Sequence, residues 1–145
     1  MNWQELSASS HYKTAIAIAH ELELGHSSEA DKGINELINA LSRSEKRALK
    51  SQLIRLMLHI IKWHSQPERR SLSWVASIQD ARDEIIDIQE ETPSLNENAI
   101  KELWDKVFVI ANRDAAAEMH KKSTVTSLSW QEVFEEDYDL SEKLS

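Results

Sequence analysis

Residues 48–64 read ALKSQLIRLMLHIIKWH. Ala48, Leu49, Leu53, Leu56, Met57, Ile60, Ile61 and Trp63 recur at helical spacing. Ile54 and Leu58 widen the arc until more than half of the second part's circumference is apolar. Only a narrow polar stripe is left: Gln52, Arg55, His59 and Lys62. A helix with so little polar surface must be enclosed by other elements, so this segment is expected to be the central, most buried helix. The composition agrees with an all-α class. Only 2 Gly and 2 Pro occur in 145 residues, too few for the many turns of a β fold.

Upstream, Ser42 and Glu45 make an S-x-x-E capping box, which opens the central helix or marks a kink. Residues 28–41 are expected to form another helix, with Ala30, Ile34, Leu37, Ile38 and Leu41 on its inner face. Gly33 weakens that helix and asks for tertiary support. Residues 9–24 place Tyr12, Ala15, Ile16, Ala19 and Leu22 on one apolar face, and Gly25 stops them where a positive φ is useful. Downstream, residues 73–91 carry Trp74, Ile78, Ala81, Ile85 and Ile88 at spacings of bundle packing, up to Thr92-Pro93. A second box, Ser94 and Glu97, opens a helix over residues 95–120 that buries Ile100, Leu103, Trp104, Val107, Ile110 and Ala111. The linker KKSTVTS leads to a third box, Ser129 and Glu132, and a short piece holding Trp130, Val133 and Phe134. The acidic tail, about 139–145, is expected to fray. The reading is one domain over residues 1–145, a bundle of about five helices with short connections.

Several function classes are excluded or disfavoured by composition. No Cys is present, so disulfides, thiolate chemistry and Cys-based zinc sites are out. The start, MNWQELSASSHYK, has no basic stretch followed by an apolar run, and Arg, His and Lys interrupt every apolar stretch before membrane length. A soluble, cytoplasmic protein with no membrane partner is expected. The net charge of -8 argues against general attraction to nucleic acid.

The connection KWHSQPERRSLSW, residues 62–74, concentrates chemistry. Pro67 disfavours helix at Gln66, and Ser71 or Ser73 can cap the next helix. Arg69 and Arg70 lie close to the last, unpaired carbonyls of the central helix, where a guanidinium is favourable. Trp63 and Trp74 flank the turn and can stack on each other or on an arginine. The corner therefore reads first as a structural clamp. The alternative is an anion pocket in which Arg69, Arg70, Lys62 and His59 converge on a carboxylate or phosphate. Glu68 or Glu36 could instead pair with either arginine.

R-S-E-K-R-A-L at 43–49, H-x-x-K-W at 59–63, Q-P-E-R-R-S-x-S-W at 66–74 and W-Q-E-V-F-E-E-D-Y at 130–138 form a long, specific pattern. It resembles the signature of a bacterial family, Domain of Unknown Function 29. Ser42 departs from the Gly expected there, and Ser65 from a common aromatic. The resemblance implies an all-helical fold and nothing about catalysis.

The six histidines show no metal-ligand spacing, and no cofactor motif is present, so neither a metal nor a cofactor is expected. No glycine-rich phosphate loop and no nucleophile elbow occur. Arg113 and His120, with six residues between them in RDAAAEMH, are similar to the R-x4-6-H motif of HEPN ribonucleases. That resemblance implies metal-independent RNA cleavage as an alternative, with Arg on the phosphate and His moving protons. The main expectation is a non-enzymatic protein-interaction or regulatory module, with an unknown protein partner and a homodimer as one form of it.

Overall fold

The structure, a computed structural model, describes residues 1–140. Five α-helices follow in chain order: α1 (Trp3–Ser9), α2 (His11–Glu23), α3 (Ser27–Ser65), α4 (Leu72–Glu91) and α5 (Glu97–Met119). A 3-10 turn, Pro67–Arg69, precedes α4, and a π-helical turn, Gln131–Glu135, follows α5. No strand occurs among the described residues, so the fold is all-α. No helix among them is long and apolar enough to cross a membrane. The chain divides into two compact units, Met1–Arg47 and Ala48–Ser145.

α3 is one helix of 39 residues, where the sequence suggests two helices meeting at Ser42. Residues 39–48, NALSRSEKRA, contain neither Gly nor Pro and are rich in strong helix formers. Ser42 and Glu45 therefore lie inside a helix rather than at its start.

In the first unit, Asn2 caps α1 by accepting from the Glu5 amide at 3.1 Å. Ser10 adopts an extended conformation and caps α2 through the Lys13 amide. α2 ends as expected at Gly25, whose φ is 76°. The Gly25 amide bonds the Leu22 carbonyl and the His26 amide that of Glu21, a Schellman closure. The core is small: Trp3, Ile18 and Ala30, flanked by Leu6, Ala17 and Leu37. Gly33 has its tertiary support here. A Cβ on it would lie 2.8 Å from both the Ile18 side chain and the Trp3 ring. The absent side chain is what lets the indole lie on α3.

The expected inner faces of this unit are corrected by the structure. Tyr12, Ala15, Ile16, Ala19 and Leu22 are all exposed, and α2 buries Thr14 and Ile18 instead. On α3, Ala30, Gly33 and Ala40 are buried, whereas Ile34, Ile38 and Leu41 are exposed. Both helices carry apolar residues on more than one side, so periodicity offers two faces and cannot choose between them. The choice falls to Trp3 of α1, which needs small neighbours.

The second unit has the larger core. Leu49, Leu53, Leu56, Met57, Ile60, Ile61, Ile78, Ile85, Ile100, Val107 and Val133 are essentially inaccessible. The expected faces of α4 and α5 supply it. Ile78, Ala81 and Ile85 of α4 and Ile100, Val107 and Ala111 of α5 are buried. Asn96, not Ser94, caps α5 through the Ala99 amide, because Leu95 between them is drawn into the core. The box at Ser129 forms in full: its amide donates to Glu132 Oε1, and the Glu132 amide to Ser129 Oγ. The segment beyond is held. Tyr138 donates from its hydroxyl to the Glu132 carbonyl at 2.7 Å, and Arg82 donates to the Val133 and Glu136 carbonyls. Of the expected frayed tail, Leu140 packs against the core and residues 141–145 lie outside the described residues.

Candidate functional site

The candidate site begins where α3 runs out of helix. Gln66 still donates its amide to the Lys62 carbonyl, and Arg69 closes the 3-10 turn on the Gln66 carbonyl. Ser71 caps α4 through the Trp74 amide at 3.2 Å. The corner therefore brings seven candidate residues from α3, the turn and α4 around one short connection.

Arg70 folds back onto α3. Its Nε donates to the Trp63 carbonyl at 2.9 Å, and its guanidinium carbon lies 4.6 Å from the Trp63 ring centre. One side chain thus satisfies a terminal carbonyl and covers the indole it belongs to. The side chain of Arg69, its neighbour, is exposed and makes no hydrogen bond or ion pair among the described residues, and the same holds for the side chain of Glu68. Neither arginine pairs with an acid. Lys62 bonds Glu118 of α5 at 3.0 Å while its ammonium sits 4.8 Å from the Trp74 ring centre. It is consumed by a bridge between α3, α4 and α5. His59 bonds the Arg55 carbonyl through Nδ1 at 2.8 Å. Burial pushes its pKa down, and the Lys62 and Arg55 charges act the same way, against the carbonyl bond and Glu118.

His59, Lys62, Trp63, Glu68, Arg69, Arg70 and Trp74 are near in sequence, yet their polar atoms are turned to different partners. Two cavities of the second unit lie away from these residues. One of about 470 Å³ is lined by Arg82, Ile86, Trp130 and Phe134 among others. Another, about 510 Å³, is lined by Phe108, Val109, Asn112 and Arg113.

Trp63 also meets Tyr138 edge-on at 5.6 Å between ring centres, and His64 meets the same ring at 6.0 Å. Tyr138 closes the W-Q-E-V-F-E-E-D-Y pattern but is not among the candidate site residues. Its signal is the aromatic inside an acidic tail that otherwise has no reason to order. Burial raises the pKa of its phenol, aided by Glu136 and Glu132.

Arg113 and His120 are differently placed. Arg113 is exposed and bonds the adjacent Asp114 at 3.0 Å. α5 ends at Met119, and His120 is its C-cap with φ 55°, off the helical path that the sequence spacing assumes. His120 is exposed and does not line the cavity that Arg113 lines.

The sequence model of a family described as Domain of unknown function DUF29 matches residues 11–139. The chain belongs to this family. The match runs from the start of α2 to Asp139 and so takes in the whole corner of this DUF29 protein. No curated protein and no solved structure is detectably similar. Ser65, one of the two residues that depart from the expected pattern, is buried and receives the Thr124 amide and hydroxyl at 3.4 and 3.3 Å.

Two features lay outside the sequence-derived site. One is the outward apolar face of α2, legible as residues but assigned to the core. The other is the basic run at Arg43–Arg47, whose signal is R-S-E-K-R with no acid three or four positions from either arginine.

Proposed function

We propose that this DUF29 protein is a non-enzymatic interaction module of the bacterial cytoplasm, and that its first unit docks on a second copy of the chain. The observation that carries the reading is α2. Residues two apart on a helix point about 200° apart. Thr14 and Ile18 are buried, so Tyr12 and Ile16 point the other way, and they are 76% and 54% exposed. A helix apolar on both sides is a helix meant to be covered on both.

A second copy fits by charge. The exposed end of α2 near its start carries Lys13, and the end near its finish carries Glu23. Neither side chain makes an ion pair among the described residues. An antiparallel, two-fold pairing of α2 with itself sets each Lys13 beside the partner copy's Glu23 and aligns opposite helix dipoles. Parallel pairing would set like charges together.

Light scattering of the full chain should report twice its 16.7 kDa mass. Ile16→Glu should give the monomer with an unchanged circular dichroism spectrum. Lys13→Glu should weaken the dimer, and adding Glu23→Lys should restore it. A wild type that stays monomeric at about 100 μM, or a charge swap that does not restore, would overturn the proposal.

A further inference from the structure

We propose that the first unit also holds a binding site for a small phosphate-bearing anion, formed by Arg43 and Arg47 of α3 against the α1–α2 junction. A cavity of about 270 Å³ lies there, lined by Ser9, Ser10, His11, Arg43, Ser44 and Arg47 among others. That is the liquid volume of roughly nine waters, enough for a phosphate group with part of its hydration. No acid lines it.

Arg43 and Arg47 are one turn apart, so both guanidiniums stand on the same side of α3. Neither side chain makes a hydrogen bond or ion pair among the described residues, in a chain with 25 acids and 17 bases. The positions three and four away from them hold Asn39, Ala40, Ser44, Lys46, Lys50 and Ser51, with no acid among them. Like charges at this spacing destabilise a helix, a cost that an anion between them removes. The corner arginine, Arg70, shows the contrast: its fork is already spent on a carbonyl.

The donor set selects phosphate over carboxylate. Two guanidiniums present forked N–H groups, His11 adds a ring nitrogen, and Ser44 adds a hydroxyl that bonds nothing else among the described residues. The Ser10 oxygen accepts from the Lys13 amide, which leaves its own proton free to donate. This many donors around one cavity exceeds what the two oxygens of a carboxylate can accept and suits the three or four of a phosphate.

The test is a titration of isotope-labelled full chain with inorganic phosphate, acetate and chloride at matched ionic strength, followed by NMR. Phosphate alone should give saturable shifts at His11, Ser44 and the two arginine Nε groups. Arg43→Gln/Arg47→Gln, checked for fold by circular dichroism, should weaken binding about a hundredfold, near tenfold for each charged hydrogen-bonding partner lost. Linear shifts, or equal shifts with chloride or acetate, overturn the site whatever the variant does. Sedimentation with phosphatidic acid vesicles, while inorganic phosphate shifts nothing, overturns a small-molecule site in favour of a membrane surface.

Discussion

Arg70→Ala should destabilise the second unit, and Arg69→Ala should not. The two arginines are adjacent, equally charged and indistinguishable by motif. Arg70 loses two things on truncation. The first is a charge-assisted hydrogen bond of 2.9 Å to the Trp63 carbonyl, a contact type worth about 1.5–3 kcal/mol. The second is the guanidinium stack on the Trp63 ring at 4.6 Å, worth about 0.5–1 kcal/mol where water still reaches it. Both rest on one side-chain position, so they do not add in full, and about 2–3 kcal/mol is expected. For a chain of this length that is roughly 4–12 °C in Tm. Arg69 touches nothing that truncation removes, so less than about 0.5 kcal/mol is expected. Urea unfolding followed by far-ultraviolet circular dichroism measures both, with the slope compared to wild type so that a midpoint shift reads as stability. Arg70→Lys keeps the charge and loses the planar fork, and should recover less than half of the loss. Equal losses at positions 69 and 70, or a loss below about 0.5 kcal/mol for Arg70→Ala, would refute the clamp.

Two further outcomes follow from single residues. His120 holds a left-handed conformation that glycine adopts without strain, so His120→Gly should stabilise the protein by about 0.5–1 kcal/mol in thermal melts; destabilisation would show that the imidazole makes a contact the cap geometry does not reveal. His59 is held below its usual pKa in the folded chain, so the unfolded chain takes up the proton first, near pH 6.5. Its contribution is complete above that pH and is lost as pH falls through the lower folded value. Urea midpoints should drop more between pH 7.5 and 5.5 in wild type than in His59→Gln, and equal drops would remove His59 as the cause.

The second unit was largely legible because its signals agree with one another. The arc of α3 from Leu49 to Trp63, the single faces of α4 and α5, and the box at Ser129 all point to one arrangement, so local pattern and tertiary burial choose the same residues. The first unit was not legible for the opposite reason. Its helices offer apolar residues on several sides, and the decision rests on Trp3, a residue that no periodicity marks. Its ring lies on Gly33 and donates its indole N–H to Glu29 at 2.7 Å. A hydrophobic pattern counts residues on a face but cannot rank faces by the shape of what will cover them. Ser42 shows the same limit at shorter range: a capping box is a start signal only where the preceding residues can leave the helix, and Ala40 and Leu41 do not.

The site divides along a similar line. At the corner, sequence proximity to a helix end was enough to propose that a guanidinium could meet a carbonyl, because the unpaired carbonyls of a helix terminus are a fixed feature of any helix. Which arginine would do so depends on the 3-10 turn, whose tight winding separates Arg69 and Arg70 into an outward and an inward side chain. No one-dimensional pattern carries that. Arg43 and Arg47 present the converse case. Their spacing on one helix face was visible, and so was the missing acid at every neighbouring turn, yet the cavity they face is made by the α1–α2 junction, which the sequence does not announce. The chemistry of a charged pair can be read from its helix. Whether it is a solvated surface or a site depends on what the rest of the chain places opposite, and here that is a serine- and histidine-lined hollow with no counter-charge in it.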